Sequence, residues 1–271
     1  YMAIMYHKKA LTNDKNLAGI HNNLGHTYTL IGDGRNLIHH RIASSLEPHN
    51  MELYSPILFN SNYSPDMNAE EIFEYYKLYD QRFGLPHKDK WKPFAQPKIQ
   101  KNRLKIGYVS PDFRKHSAQN FLLPTLANHN HQKFEIYAFA ELSQEDSTTQ
   151  EYKSYVDQWV PTQGFTDWEM AQKIRELEID VLVDVAGHTK GNRLGVFAYK
   201  PTPISLSWLG FGYTTGLSAI DYFLTDNIVA PQGSEHLFSE KIWRINDYCY
   251  CLSLIHISEP TRQEAISYAV F

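Results

Sequence analysis

In residues 179–193, IDVLVDVAGHTKGNR, an apolar run stops at a glycine and a polar segment follows. Residues 179–186 predict a buried strand, since short runs rich in Val, Ile and Leu are typical of strands covered on both faces. Residues 187–193 place hydrogen-bond donors and cations on a glycine-containing loop. By composition alone, this loop is either a cradle for anions and hydroxyls or a well-solvated turn.

Strands and helices alternate on both sides of this stretch. Strands are predicted at residues 104–110, 134–140, 204–208 and 222–224, and helices at residues 120–127 and 168–177. This alternation predicts a parallel sheet with helical cover, which is a Rossmann-like α/β domain. Ligands of such sheets bind outside the carboxyl ends of the strands, so the loops 110–116 and 187–193 are expected to share one rim.

The chain before residue 86 is predicted to be helical. Residues 22–31 and 36–46 form a helix pair that breaks at Gly32-Asp33 and stops at Pro48. The pair resembles one tetratricopeptide repeat, although an unrelated helical hairpin would have the same pattern. The predicted organisation is a tetratricopeptide-like helical region over residues 1–85, a proline-rich linker over 86–103 and an α/β region over 104–251.

Composition excludes several classes of protein. The 271 residues are 42% hydrophobic and 21% charged, which is ordinary for a globular protein with a sizeable core. A net charge of -4 provides no basic field for nucleic acid. No run is long and apolar enough for a membrane span, and no signal peptide is recognisable, so a cytoplasmic protein without a membrane partner is expected. Two thiols, Cys249 and Cys251, predict neither a disulfide framework nor a metal site.

The last twenty residues, 252–271, do not continue the pattern that precedes them. They read LSLIHISEPTRQEAISYAVF and resemble the translation of a transposase-type sequencing adaptor. The chain also opens on Tyr1 instead of methionine. The sequence is therefore expected to be a fragment whose natural part ends near Cys251.

Three segments carry candidate chemistry. In GYVSPDFRKHS, residues 107–117, Asp112 and His116 follow a strand, and a histidine there is a candidate general base. In WLGFGYTTG, residues 208–216, aromatic rings, glycines and the hydroxyls of Thr214 and Thr215 suit a sugar or a peptide, unless they form a tight turn beside a core tryptophan. The loop that follows residue 186 supplies the other candidate substrate ligands, which are Gly187, His188, Thr189, Asn192 and Arg193.

Together these segments resemble a known family. The ordered set GYVSPDFRKHS, DVAGHTKGNRLGVFAYKPTPIS, WLG…TTGL and DYFLTD resembles the bacterial relatives of O-linked N-acetylglucosamine transferase, which join tetratricopeptide repeats to a Spindly-type catalytic region. The resemblance covers about residues 17 to 250. It implies a GT-B glycosyltransferase fold with the active site between two Rossmann-like halves, of which this chain contains the N-terminal one.

The resemblance also implies a reaction. Such enzymes move a sugar with inversion from a nucleotide sugar, here UDP-GlcNAc as co-substrate with no further cofactor, to Ser or Thr hydroxyls of acceptor proteins that the repeats guide. His116 falls on the family's DF-x-x-H histidine, which is proposed to be catalytic or substrate-orienting. His188 and Thr189 fall on the glycine-loop motif near the cleft.

Two departures from the family qualify this expectation. Gly210-Phe211-Gly212-Tyr213-Thr214 stands where the family has Gly-Tyr-Pro-Gly-Thr, and the second Rossmann-like half with its diphosphate-binding lysine is absent. The hypothesis is that the chain is inactive as written. Two alternatives stay open, a noncatalytic tetratricopeptide scaffold with an α/β protein-binding domain, and an enzyme that uses a fucose or glucose donor.

Overall fold

The structure, a computed structural model, describes residues 2–94, 102–246 and 249. The helices are α1 Met2–Asn13, α2 Ala18–Leu30, α3 Arg35–Leu46, α4 Met51–Ser61, α5 Ala69–Tyr79, α6 Gln119–Ala127, α7 Ser147–Ser154, α8 Asp167–Glu176 and α9 Leu194–Ala198. The strands are β1 Leu104–Ser110, β2 Phe134–Ala140, β3 Gln158–Pro161, β4 Val181–Asp184, β5 Ile204–Ser207, β6 Tyr222–Thr225 and β7 Lys241–Arg244. The predicted tail 252–271, Cys251 and residues 95–101 of the predicted linker lie outside the described residues.

The described strands form one parallel sheet in the order β3-β2-β1-β4-β5-β6-β7. The chain builds outward from β1 to β3 and then returns to the other side of β1 with β4. The strand order therefore reverses between β1 and β4, which is the position where open α/β sheets bind their ligands. The predicted fold class, helices followed by a Rossmann-like sheet, is confirmed.

Local sequence explains why several of these elements form where they do. The predicted bounds of β1 and β2 agree with the structure, because each strand is an apolar segment with alternating faces. Helix α8 begins in a capping box, in which Thr166 and Glu169 each satisfy a backbone N–H of the other residue. The strand predicted at residues 179–186 is shorter, Val181–Asp184, because the Asp184 carboxylate accepts from two following backbone amides and turns the chain.

Two apolar cores cover the two faces of the sheet. Tyr137 and Phe139 of β2 point into one core, and the intervening Ala138 points into the other. The first core is shared with the helical segment, since Tyr54 of α4 and Tyr76 of α5 are buried in it. Helices α4 and α5 are therefore part of the same folded unit as the sheet. None of the helices in the described part of the chain is long and apolar enough to cross a membrane.

Candidate active site at the strand switch

The loops after β1 and β4 lie side by side at the carboxyl edge of the sheet. Strands β1 and β4 pair directly, with Val109 opposite Asp184 at their ends. Gly191 in the second loop lies against Pro111 in the first, so closely that a Cβ on Gly191 would be 3.2 Å from that of Pro111. The structure thus brings both predicted loops to one rim, at the point where the strand order reverses.

His116 stands on the outer part of this rim, in the turn that leads into α6. Its side chain is 41% exposed, and its Nδ1 lies 3.7 Å from Oδ2 of Asp112. The same Nδ1 accepts a 3.3 Å hydrogen bond from the backbone N–H of Ala118. An exposed imidazole beside a carboxylate has the composition and access that a general base needs.

Asp112 is buried beneath His116 instead of facing the solvent. Burial raises the pKa of its carboxyl, an effect that the charges of His116 and then of Arg114 oppose. The guanidinium of Arg114 comes within 3.5 Å of Oδ1. In this structure Asp112 is a neighbour of the candidate base, and its predicted contact with substrate stays a prediction.

The loop after β4 is held together by its own hydrogen bonds. Thr189 Oγ1 donates to the carbonyl of Ala186 at 2.7 Å, and Asn192 Nδ2 donates to the carbonyl of Thr189 at 2.9 Å. Gly187 N–H donates to the Asp184 carboxylate at 3.0 Å and adopts a φ of 53°, which favours glycine. Several side chains of the loop are therefore satisfied from within the chain, and its role as a cradle for substrate stays a prediction.

Arg193 is anchored in the same way. Its Nη1 lies 2.5 Å from Oε2 of Glu141, its Nε lies 2.9 Å from Oδ1 of Asp167, and its Nη2 donates to the carbonyl of Phe165. Only 11% of the side chain is exposed. Arg193 therefore ties the ends of β2, β4 and the start of α8 together, and a contact of this guanidinium with phosphate stays a prediction.

His188 is buried between the sheet and the helical segment. Its Nδ1 is 3.1 Å from Oγ of Ser55 on α4, and its Nε2 is 2.7 Å from the carbonyl of Thr215. The rings of Tyr76 and Tyr79 on α5 pack edge-on against it. Burial lowers the pKa of His188 to about 4, so the ring is neutral at physiological pH. In this structure His188 joins α4 and α5 to the rim.

Thr214 and Thr215 enclose a buried carboxylate. Thr214 Oγ1 donates to Glu240 Oε2 at 2.5 Å, and the N–H and the hydroxyl of Thr215 both donate to Glu240 Oε1. Burial raises the pKa of Glu240, and these hydrogen bonds oppose that effect. The two threonines thus position the segment that bears the Thr215 carbonyl, and their predicted contact with a sugar stays a prediction.

Sequence reasoning missed the three residues that anchor these groups, Ser55, Glu141 and Glu240. A lone serine in a helix and a glutamate after a strand carry no pattern that separates them from surface residues.

The polar side chain of the loop that stays exposed is Lys190, which has no hydrogen-bond or ion-pair partner among the described residues. In the same part of the chain, no three His, Cys, Asp or Glu side chains converge as a metal site requires.

Comparison with known proteins places these features in a family. The pattern of Glycosyl transferase family 41 matches residues 34–252. A probable UDP-N-acetylglucosamine–peptide N-acetylglucosaminyltransferase SPINDLY of Oryza sativa subsp. japonica is 30% identical over 71% of this chain and 21% of its own length. The corresponding probable transferase SEC of Arabidopsis thaliana is 34% identical over 62% of this chain and 17% of its own length.

A solved structure shares the fold. A Thermobaculum terrenum O-GlcNAc transferase mutant superimposes with a TM-score of 0.85 at 28% sequence identity, over 91% of this chain and 48% of that chain. The present chain spans about a fifth of the length of the curated plant relatives. The comparison thus covers the helices and the sheet described above.

Proposed function

This chain belongs to glycosyl transferase family 41, and on that premise we propose that it takes part in the transfer of N-acetylglucosamine from UDP-GlcNAc to Ser or Thr hydroxyls of proteins. The observation that carries the proposal is the exposed His116 at the carboxyl edge of the sheet, at the strand switch point where α/β folds bind nucleotides. The names of the relatives supply the donor and the acceptor class.

The chemistry assigned to His116 is removal of a proton. The acceptor oxygen bonds to the anomeric carbon of the sugar, the bond from that carbon to the diphosphate breaks, and UDP leaves with the electron pair. The hydroxyl proton passes to the imidazole, which acts as the general base. Attack on the face opposite the diphosphate inverts the anomeric centre. Acceptor proteins and the nucleotide sugar are therefore the proposed partners. The proposed compartment is the cytoplasm.

The test uses the part of the Thermobaculum enzyme that this chain does not cover. Fused to that part, the chain is expected to transfer N-acetylglucosamine from UDP-GlcNAc to a protein substrate, detected as a mass increase on Ser or Thr. His116→Ala in the fusion should reduce transfer by about 100-fold or more, as loss of a general base does. The UDP affinity should stay within about threefold, since a proton acceptor contributes little to nucleotide binding.

Each outcome decides between the candidates. Transfer that is lost in the His116→Ala fusion while UDP still binds supports the proposal. Equal losses of transfer and UDP affinity would show that His116 is structural. A folded fusion that binds UDP but transfers neither N-acetylglucosamine, glucose nor fucose would contradict the enzyme and favour the scaffold.

A further inference from the structure

The carboxylate of Asp112 is buried, yet it accepts no hydrogen bond from the described residues. Its side chain is 9% exposed, and its nearest charged neighbours, Arg114 and His116, stand 3.5 and 3.7 Å away. Both distances exceed those of charge-assisted hydrogen bonds. Buried polar groups nearly always have partners, and an unpartnered buried charge costs free energy. The fold therefore holds a carboxylate that lacks a partner directly beneath the candidate base.

A second buried group nearby also lacks a hydrogen-bond partner. Tyr152 of α7 is completely buried, and its hydroxyl has no hydrogen-bond partner among the described residues. Burial raises the pKa of this hydroxyl, and the charge of Asp112 adds to that effect. The ring of Tyr152 packs edge-on against Phe113, the residue after Asp112. Phe113 and Tyr152 belong to the second apolar core, and the charged groups nearest to the carboxylate lie on the side of the rim.

The group on that side is Nδ1 of His116. In the structure it accepts from the N–H of Ala118 at 3.3 Å, which requires the proton of a neutral ring to be on Nε2. The alternative is that Nδ1 carries the proton and donates it to Asp112. The Ala118 N–H precedes α6 at a partly exposed helix end and can turn to water, whereas the Asp112 side chain is only 9% exposed and has little access to water. The second arrangement is therefore the more stable one.

We propose that Asp112 is a positioning residue that holds the Nδ1 proton of His116 and leaves Nε2 free to accept the proton of the attacking hydroxyl. The ring needs to move by only about 1 Å to turn the 3.7 Å contact into a hydrogen bond, and as an exposed side chain it is free to rotate. After proton transfer the imidazolium lies beside the carboxylate, which stabilises it. This role rests on the proposed function, which identifies the acceptor hydroxyl as the proton donor.

The test measures where the ring proton is. The 271-residue chain is labelled with ¹⁵N-histidine, the His116 signal is identified by its loss in His116→Gln, and the ring nitrogen shifts are recorded at a pH where the ring is neutral. The wild-type ring is expected to carry its proton mainly on Nδ1. In Asp112→Asn the ratio of the two tautomers should move toward Nε2–H by about tenfold, as loss of a hydrogen bond to a charged group implies.

The matched control is Arg114→Gln, which removes the other neighbouring charge, leaves the carboxylate and should leave the tautomer ratio unchanged. A wild-type ring with its proton mainly on Nε2 would overturn the proposal, and this result does not depend on whether any variant folds. The same ratio in wild type and a folded Asp112→Asn would also overturn it. Failure of the fusion to transfer sugar would instead contradict the proposed function. The tautomer ratio would still report the contact between Asp112 and His116.

Discussion

Lowering the pH should reduce the free energy of unfolding through His188, the buried residue that joins α4 and α5 to the rim. The pKa of this buried ring is lowered to about 4 from an ordinary value of 6.5, so the unfolded chain takes up the proton first as the pH falls. The neutral ring makes its full contribution to the free energy of unfolding above about pH 6.5, and this contribution is lost as the pH falls toward 4. Between about pH 7.5 and pH 4.5 the loss amounts to about 2.5 kcal/mol of the free energy of unfolding.

The assay is urea unfolding of the wild type and of His188→Gln at both pH values. The replacement cannot titrate, so the difference in stability between the two proteins should shrink by about 2.5 kcal/mol at the lower pH. Carboxyl groups that also titrate contribute to both proteins and largely cancel from that difference. Ser55→Ala removes one partner of the ring without removing its titration, and its effect should be nearly independent of pH. A difference for His188→Gln that is equal at both pH values would refute the buried, neutral ring.

Two further predictions concern contacts at the rim, and a third concerns nucleotide binding. A Cβ on Gly210 would overlap the carbonyl carbon of Ala186, so Gly210→Ala should lower the free energy of unfolding by at least about 3 kcal/mol, whereas Gly19→Ala, in open space on α2, should raise it slightly in the same thermal or urea assay. Arg193→Gln should cost about 3 kcal/mol in urea unfolding because it leaves two carboxylates without their cation, and a loss no larger than that of the exposed Arg35→Gln would contradict the anchoring role. Isothermal titration of the 271-residue chain with UDP should show no tight binding, and stoichiometric tight binding would refute the hypothesis that the chain is inactive alone.

The sequence predicted those parts of the fold whose residues repeat a simple period. Strands β1 and β2 were recognisable because each is a seven-residue apolar segment, and α8 because its capping residues precede an amphipathic stretch. Strands β3 and β7, with four residues each and exposed positions, carry too little pattern to stand out. The helices α7 and α9 were missed for a similar reason, since one has a single aromatic residue among polar ones and the other has five residues.

The rim was predictable in position but not in its internal contacts. Parallel strands bring their carboxyl ends to one edge, so the adjacency of the loops that hold His116 and His188 followed from the strand pattern alone. Which polar groups face inward depends on partners far away in the chain. The carboxylate of Glu240 occupies Thr214 and Thr215, and Ser55 lies 133 residues before His188. No local period encodes such pairs.

The core that α4 and α5 share with the sheet limits how far the chain can be shortened. A protein that begins at β1 would lose Tyr54 and the other α4–α5 rings from the core that they share with Phe139, Leu182 and Leu217, and a newly exposed apolar face of this kind promotes aggregation. A protein that begins at α4 would keep that face covered. A version of this chain that is grafted onto a foreign second half therefore needs at least α4 and α5 in front of the sheet.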